Sequence, residues 1–112
     1  MTVHYSISLP DPAKARGSDP RLSFTASGAD AFAEQLQAAL RTPELFERWK
    51  ATQDEPEDVD PGLGATDPAA TVTGKQSDLR IDLVASTSLP GDLFKQRLRM
   101  LAGNHWELRD VR

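Results

Sequence analysis

Two histidines are the side chains of this sequence best suited to acid–base chemistry near neutral pH. His4 and His105 stand in short segments where apolar and polar residues alternate, and Glu107 follows His105 at the spacing of one strand face. An imidazole can exchange a proton with a substrate at neutral pH, and a neighbouring carboxylate can assist it. The candidate catalytic residues are therefore His4, His105 and Glu107, although no nucleophile accompanies them in a recognisable pattern.

Other kinds of chemistry have no basis in the sequence. The chain contains no cysteine, which excludes disulfides, thiolate metal sites and cysteine nucleophiles. The phosphate-binding glycine motifs and the G-x-S-x-G turn of serine hydrolases are also missing. Two histidines far apart in sequence do not provide metal-ligand spacing. We therefore expect no metal and no cofactor, and a protein that is more plausibly a binding domain than an enzyme.

The net charge of −4 is concentrated in one segment of the chain. Residues 51–69 carry six acidic residues, three prolines and no basic residue. Such a segment cannot bury enough apolar surface to offset the entropy of ordering it, so we predict a mobile loop. Its acidic residues are candidates for binding a basic partner, as an inhibitor or a nucleic-acid mimic would. These candidates are Asp54, Glu55, Glu57, Asp58 and Asp60.

Hydrophobic patterns on both sides of this loop predict a single α+β domain over residues 1–112. Alternation predicts strands at 3–9, 21–26, 79–86 and 105–109, and a short strand without alternation is predicted at 70–74. Helical spacing predicts helices at 30–41, 43–50 and before Gly103. Each main helix has one apolar stripe and most strands alternate, which indicates an antiparallel sheet with helices on one face. Leu36, Leu83 and Leu98 lie on these stripes and are predicted core residues.

The order of elements resembles a ferredoxin-like split β-α-β, a two-layer sandwich, with segment 21–26 as an extra N-terminal hairpin strand. In such a sheet the first and last strands are neighbours, so His4 and His105 can meet on the polar face that the helices leave uncovered. Other polar residues of these strands are candidates for binding a partner on that face. They are Ser6, Arg80, Asp82 and Arg109.

These observations favour a small cytoplasmic interaction or regulatory domain. It would bind a protein partner or a second copy of itself through the open sheet face or a sheet edge. One alternative is a cofactor-independent dimeric enzyme, since Asn104-His105-Trp106 is similar in composition to the pockets of small oxygenases of the antibiotic-biosynthesis type. The acidic inhibitor is another. We expect no membrane segment. The basic residues Lys95, Arg97 and Arg99 form a short patch without a platform of exposed aromatic residues, so we predict a solvated helix face and not a nucleic-acid site.

Overall fold

The computed structural model describes residues 2–112, and Met1 of the predicted domain lies outside it. Residues 2–112 form a four-stranded sheet with three α-helices. The strands are β1 (Val3–Leu9), β2 (Thr71–Ser77), β3 (Arg80–Thr87) and β4 (Glu107–Val111). The helices are α1 (Ala29–Arg41), α2 (Glu44–Lys50) and α3 (Gly91–Ala102).

The strand order is β2-β3-β1-β4, and every neighbouring pair is antiparallel. Each helical connection therefore joins two strands that have a third strand between them. The predicted α+β class, with an antiparallel sheet and helices packed on it, is confirmed. The ferredoxin-like arrangement remains an interpretation of this strand order.

The core lies between the helices and one face of the sheet. Alternate residues of β1 and β3 are apolar, so burying one face satisfies both strands at once. Tyr5 of β1 stacks on Phe94 of α3, with ring centroids 4.2 Å apart. Leu36, Leu83 and Leu98 are completely buried in this layer, as predicted.

The predicted hairpin strand at 21–26 is wrong, because this segment is a turn followed by irregular chain. Leu22 and Phe24 are buried, as the alternation indicated. The backbone, however, bonds to helices: the Phe24 amide donates to the Leu101 carbonyl at 2.8 Å, and Gln35 Oε1 accepts from the two amides that follow. β1 already has a strand on each edge, which leaves no position in the sheet beside it.

The last strand begins at Glu107, two residues later than predicted. The chain leaves α3 through a turn in which the His105 amide donates to the Ala102 carbonyl at 3.1 Å. Trp106 is half-buried against the core, and its Nε1 donates to the Gly103 carbonyl at 2.9 Å. These bonds hold His105 outside the sheet.

The acidic segment 51–69 is exposed at its first five acidic residues and packs against the rest of the chain near its C-terminal end. It contains two short 3-10 helices, Pro56–Asp58 and Pro61–Gly64. All five candidate acids between positions 54 and 60 are exposed, whereas Asp67 is buried. The mobility of this segment stays a prediction. In residues 2–112, every helix is too short or too polar to cross a membrane.

Candidate functional site: the open sheet face

The sheet face opposite the helices carries a set of polar side chains arranged in rows. Residues that face each other on antiparallel strands point to the same side of the sheet, so the register shows which side chains are neighbours. We call this surface the open face and define it by residues of the two central strands. On β1 and β3 its facing pairs are His4 with Ser86, Ser6 with Val84, and Ser8 with Asp82, and Arg80 follows on β3.

Charges of both signs lie close together on the open face. Arg80 Nε lies 3.3 Å from Asp82 Oδ1, and Lys75 of β2 is opposite Asp82 in the ladder. The Arg80 side chain is half exposed, and exposed ion pairs contribute only about 0–1 kcal/mol to stability. Val84 is the next residue of β3 after Asp82 on the open face, and 42% of it is exposed. The face thus combines an exposed apolar side chain with an ion pair that contributes little to stability.

His4 lies at one end of the open face. Its Nδ1 is 2.6 Å from Ser86 Oγ on the neighbouring strand, and its backbone carbonyl accepts a bond from the Arg112 amide. Among residues 2–112, the hydrogen-bond partner of this imidazole is a hydroxyl and not a carboxylate. The contact orients the ring but does not provide the acidic partner of a catalytic pair.

The structure does not bring His4 and His105 together. Glu107 is opposite Ser8, which is four residues along β1 from His4, or about 13 Å at 3.3 Å per strand residue. His105 lies beyond Glu107, in the turn before β4. It lines a shallow depression of about 200 Å³ that Trp106 and Glu107 also border. The two histidines therefore occupy opposite ends of the sheet.

The remaining candidates lie along the border of the open face. Glu107 of β4 is opposite Ser8 and extends the row of charges, as does Asp110, which was not among the predicted residues and is opposite Ser6. Arg109 is exposed, and its guanidinium lies 3.3 Å from Glu107 Oε2.

Sequence reasoning missed Asp67, a buried carboxylate that closes the end of the acidic segment. Its Oδ2 accepts bonds from the Ser88 amide at 2.8 Å and the Thr87 hydroxyl at 2.9 Å. The bond from the Ser88 backbone is the main cause that holds the pKa of Asp67 below its usual value. The Asp-Pro dipeptide at 67–68 was the available signal, because it typically initiates a turn and Asp67 Oδ1 accepts from the Ala69 amide.

The placement of Arg97 on a solvated helix face is also wrong. The whole residue is buried, and its guanidinium donates to the Ala65 carbonyl at 2.8 Å and lies over the Phe46 ring. Burial lowers the pKa of Arg97, and among residues 2–112 no carboxylate forms an ion pair with it. Helical spacing contained the signal, since Arg97 is four residues from both Leu93 and Leu101 on the apolar stripe of α3.

Comparison with protein families, curated proteins and solved structures finds no match for this chain. Within the described residues, potential metal-ligating side chains do not gather in groups of three or more.

Proposed function

We propose that this chain is a non-enzymatic interaction domain that binds a protein partner through the open face. One observation supports the proposal above all: the helices pack on one face of the sheet, and the other face presents exposed Val84 among charged side chains. Protein interfaces commonly have an apolar centre and a polar rim. The open face has that composition on a small scale.

The charges on the open face favour a protein over a nucleic acid as the partner. Asp82 lies beside Arg80 on β3 and opposite Lys75 on β2. Glu107 and Asp110 border the same face. A phosphate backbone would meet these carboxylates wherever it contacted the basic residues, which opposes the release of counterions that stabilises such complexes. A protein surface with charges of both signs can match this pattern, and such matching sets the rate and specificity of association.

The histidines have no essential role under this proposal. His4 is exposed and bonded to Ser86, and His105 is exposed in the turn before β4, so neither removal leaves a buried polar group unpaired. His4→Ala and His105→Ala should both leave partner binding and thermal stability nearly unchanged. Loss of a measurable turnover in either variant, with the fold intact, would replace the proposal with the enzymatic alternative.

A photo-cross-linking amino acid at Val84 tests the proposal in cells that produce the chain. The matched control carries the same amino acid at Ala38, which is exposed on α1 on the helical side of the molecule. We expect a discrete adduct with one protein from position 84, no adduct from position 38, and a weaker adduct when Arg80→Glu is added.

The adduct has to be followed by kinetics with the purified partner. Arg80→Glu should lower the association rate constant, and the effect should be larger at low salt than at high salt, because salt screens exposed charges. Adducts of equal yield from positions 84 and 38, or none from position 84, would contradict the assignment of the open face.

A further inference from the structure

The two edges of the sheet differ in how the rest of the chain covers them. At β2, Gln37 Oε1 accepts a bond from the Val72 amide at 3.0 Å. The start of α1 also lies against β2, since a Cβ added at Gly74 would clash with the Ala29 carbonyl. At β4, the described residues pair with β1 alone. β4 is therefore the uncovered edge, and such an edge is a template for another strand.

A bulge in β4 determines which of its side chains share a face. Leu108 is opposite Ile7 and Val111 is opposite Tyr5. The two β1 residues are two positions apart, but the two β4 residues are three apart, so β4 contains one extra residue at Arg109. Without that bulge, residues three apart would lie on opposite faces. With it, Leu108 and Val111 both face the helix-covered side, and Glu107 and Asp110, which precede them, face the open side.

We propose that β4 pairs antiparallel with β4 of a second copy of this chain, so that two four-stranded sheets join at this edge. The register places Leu108 opposite Val111 and Arg109 opposite Asp110 of the second copy. It also places Glu107 opposite Arg112, the residue that follows β4 and whose amide bonds to the His4 carbonyl of β1. A two-fold axis makes each of these pairs occur twice. The inference rests on the proposed function because it treats the chain as an interaction domain. It adds that the partner at the β4 edge is a second copy of the chain.

Self-complementary charge favours this register over its neighbours. Cross-strand pairs of opposite charge stabilise a ladder, whereas like charges that face each other destabilise it. A shift of one residue in one direction would place Arg109 opposite Arg109, and a shift in the other direction would place Asp110 opposite Asp110. Of these three registers, only the proposed one places opposite charges across the ladder, which favours it over the two registers next to it.

Exposed apolar surface is a second, independent observation that indicates the same edge. Four large apolar side chains of the described residues are exposed, and two of them, Leu108 at 36% and Val111 at 49%, lie on β4. In the proposed register, Leu108 of each copy packs against Val111 of the other copy on the helix-covered side of the sheet. The pairing would therefore extend the apolar layer of one copy into that of the next.

A charge swap tests the register. Glu107→Arg creates two like-charge pairs per dimer and should weaken self-association, measured by sedimentation velocity, by about tenfold or more. Arg112→Glu should do the same, and the double variant E107R/R112E should restore the native dissociation constant to within about threefold, because the pairs are exchanged and not lost. Glu47→Arg on α2 is the matched control, since it changes the charge equally at an exposed site outside β4. Circular dichroism verifies that each variant is folded.

The absence of cysteine allows a second measurement of the same contact. When Leu108→Cys and Val111→Cys chains are mixed and mildly oxidised, the mixed disulfide should exceed both homodisulfides, because the register places residue 108 opposite residue 111. Equal yields of all three products would contradict the register.

The outcomes separate this inference from the proposed function. A native chain that remains monomeric up to about 1 mM, the limit for a weak strand-pair interface, overturns the dimer. If the Val84 cross-link still forms with another protein, the proposed function stands without the dimer. If neither is observed, both are overturned. A dimer that E107R does not weaken, or that the double variant does not restore, also overturns the inference.

Discussion

Arg97 offers a quantitative test of the packing under the acidic segment, because its charge is buried without a carboxylate. Its guanidinium has five N–H donors. In the structure these donors reach the Ala65 carbonyl at 2.8 Å and the Leu93 carbonyl at 3.5 Å, which is long for a hydrogen bond, while Nε has no partner. Arg97→Met keeps most of the side-chain volume and removes the charge. Arg97→Ala removes both.

The magnitudes follow from what each variant gains and loses. Met relieves an unsatisfied buried donor, which costs about 1–3 kcal/mol, and it gives up one hydrogen bond to a charged group, which contributes about 1.5–3 kcal/mol. These effects nearly cancel, so the free energy of unfolding of R97M should lie within about 1 kcal/mol of the native value. Ala leaves a cavity against Phe46 and should cost about 2–5 kcal/mol, the usual range for truncating a long buried side chain.

Urea denaturation followed by circular dichroism measures both variants under identical conditions. The expected order of stability is native and R97M together, with R97A clearly lower. If R97M lost as much stability as R97A, the guanidinium charge itself would be required, and the description of Arg97 as a buried charge without a counter-ion would be refuted.

Three further predictions concern the core, the buried carboxylate and the acidic segment. Replacing Leu36, Leu83 or Leu98 with Ala should lower the free energy of unfolding by about 2–5 kcal/mol in urea titrations, and losses below about 0.5 kcal/mol at two of the three would contradict the core. Because hydrogen bonds lower the pKa of folded Asp67, its contribution to stability is complete above about pH 4 and is lost as the pH falls through the lowered pKa. Thermal melts should show this loss, and Asp67→Asn should abolish it; a loss of equal size in that variant would assign it to other groups. NMR order parameters should fall below about 0.6 over residues 54–60 and rise again at Asp67, whereas uniformly high values would show that the whole segment is docked.

The regular elements could be predicted from the sequence because each buries one face. Alternation in β1 and β3 and helical spacing in α1 and α3 both reflect contact with a single apolar layer. The same logic failed at Leu22 and Phe24, which alternate and are buried but do not pair with a strand: the Leu22 amide bonds within a turn, to Asp19, and the Phe24 amide bonds to Leu101 of α3. Local alternation reports burial, and it does not report whether a sheet edge is free to accept another strand.

The candidate site was predictable only where it depends on strand phase. Alternation placed His4, Ser6 and Asp82 on one face, and the ladder of β1 and β3 has them there. Their role in binding stays a prediction. The position of His105 depends on how α3 ends, and the bulge at Arg109 depends on how β4 pairs with β1. Both are set by contacts between segments distant in sequence, which the pattern of one segment does not contain.

Methyl NMR of the exposed apolar residues tests the central claim, that this chain is an interaction domain with its contacts on the sheet, most directly. Val84 reports on the open face, Leu108 and Val111 report on the β4 edge, and Leu79, 86% exposed in the β2–β3 turn, is the internal control. Raising the concentration of the chain should shift the signals of Leu108 and Val111, and adding the cross-linked partner in purified form should shift that of Val84. Under both conditions the Leu79 signal should stay in place. Shifts confined to Leu79, or no shift at Val84 at saturating partner concentration, would contradict the account.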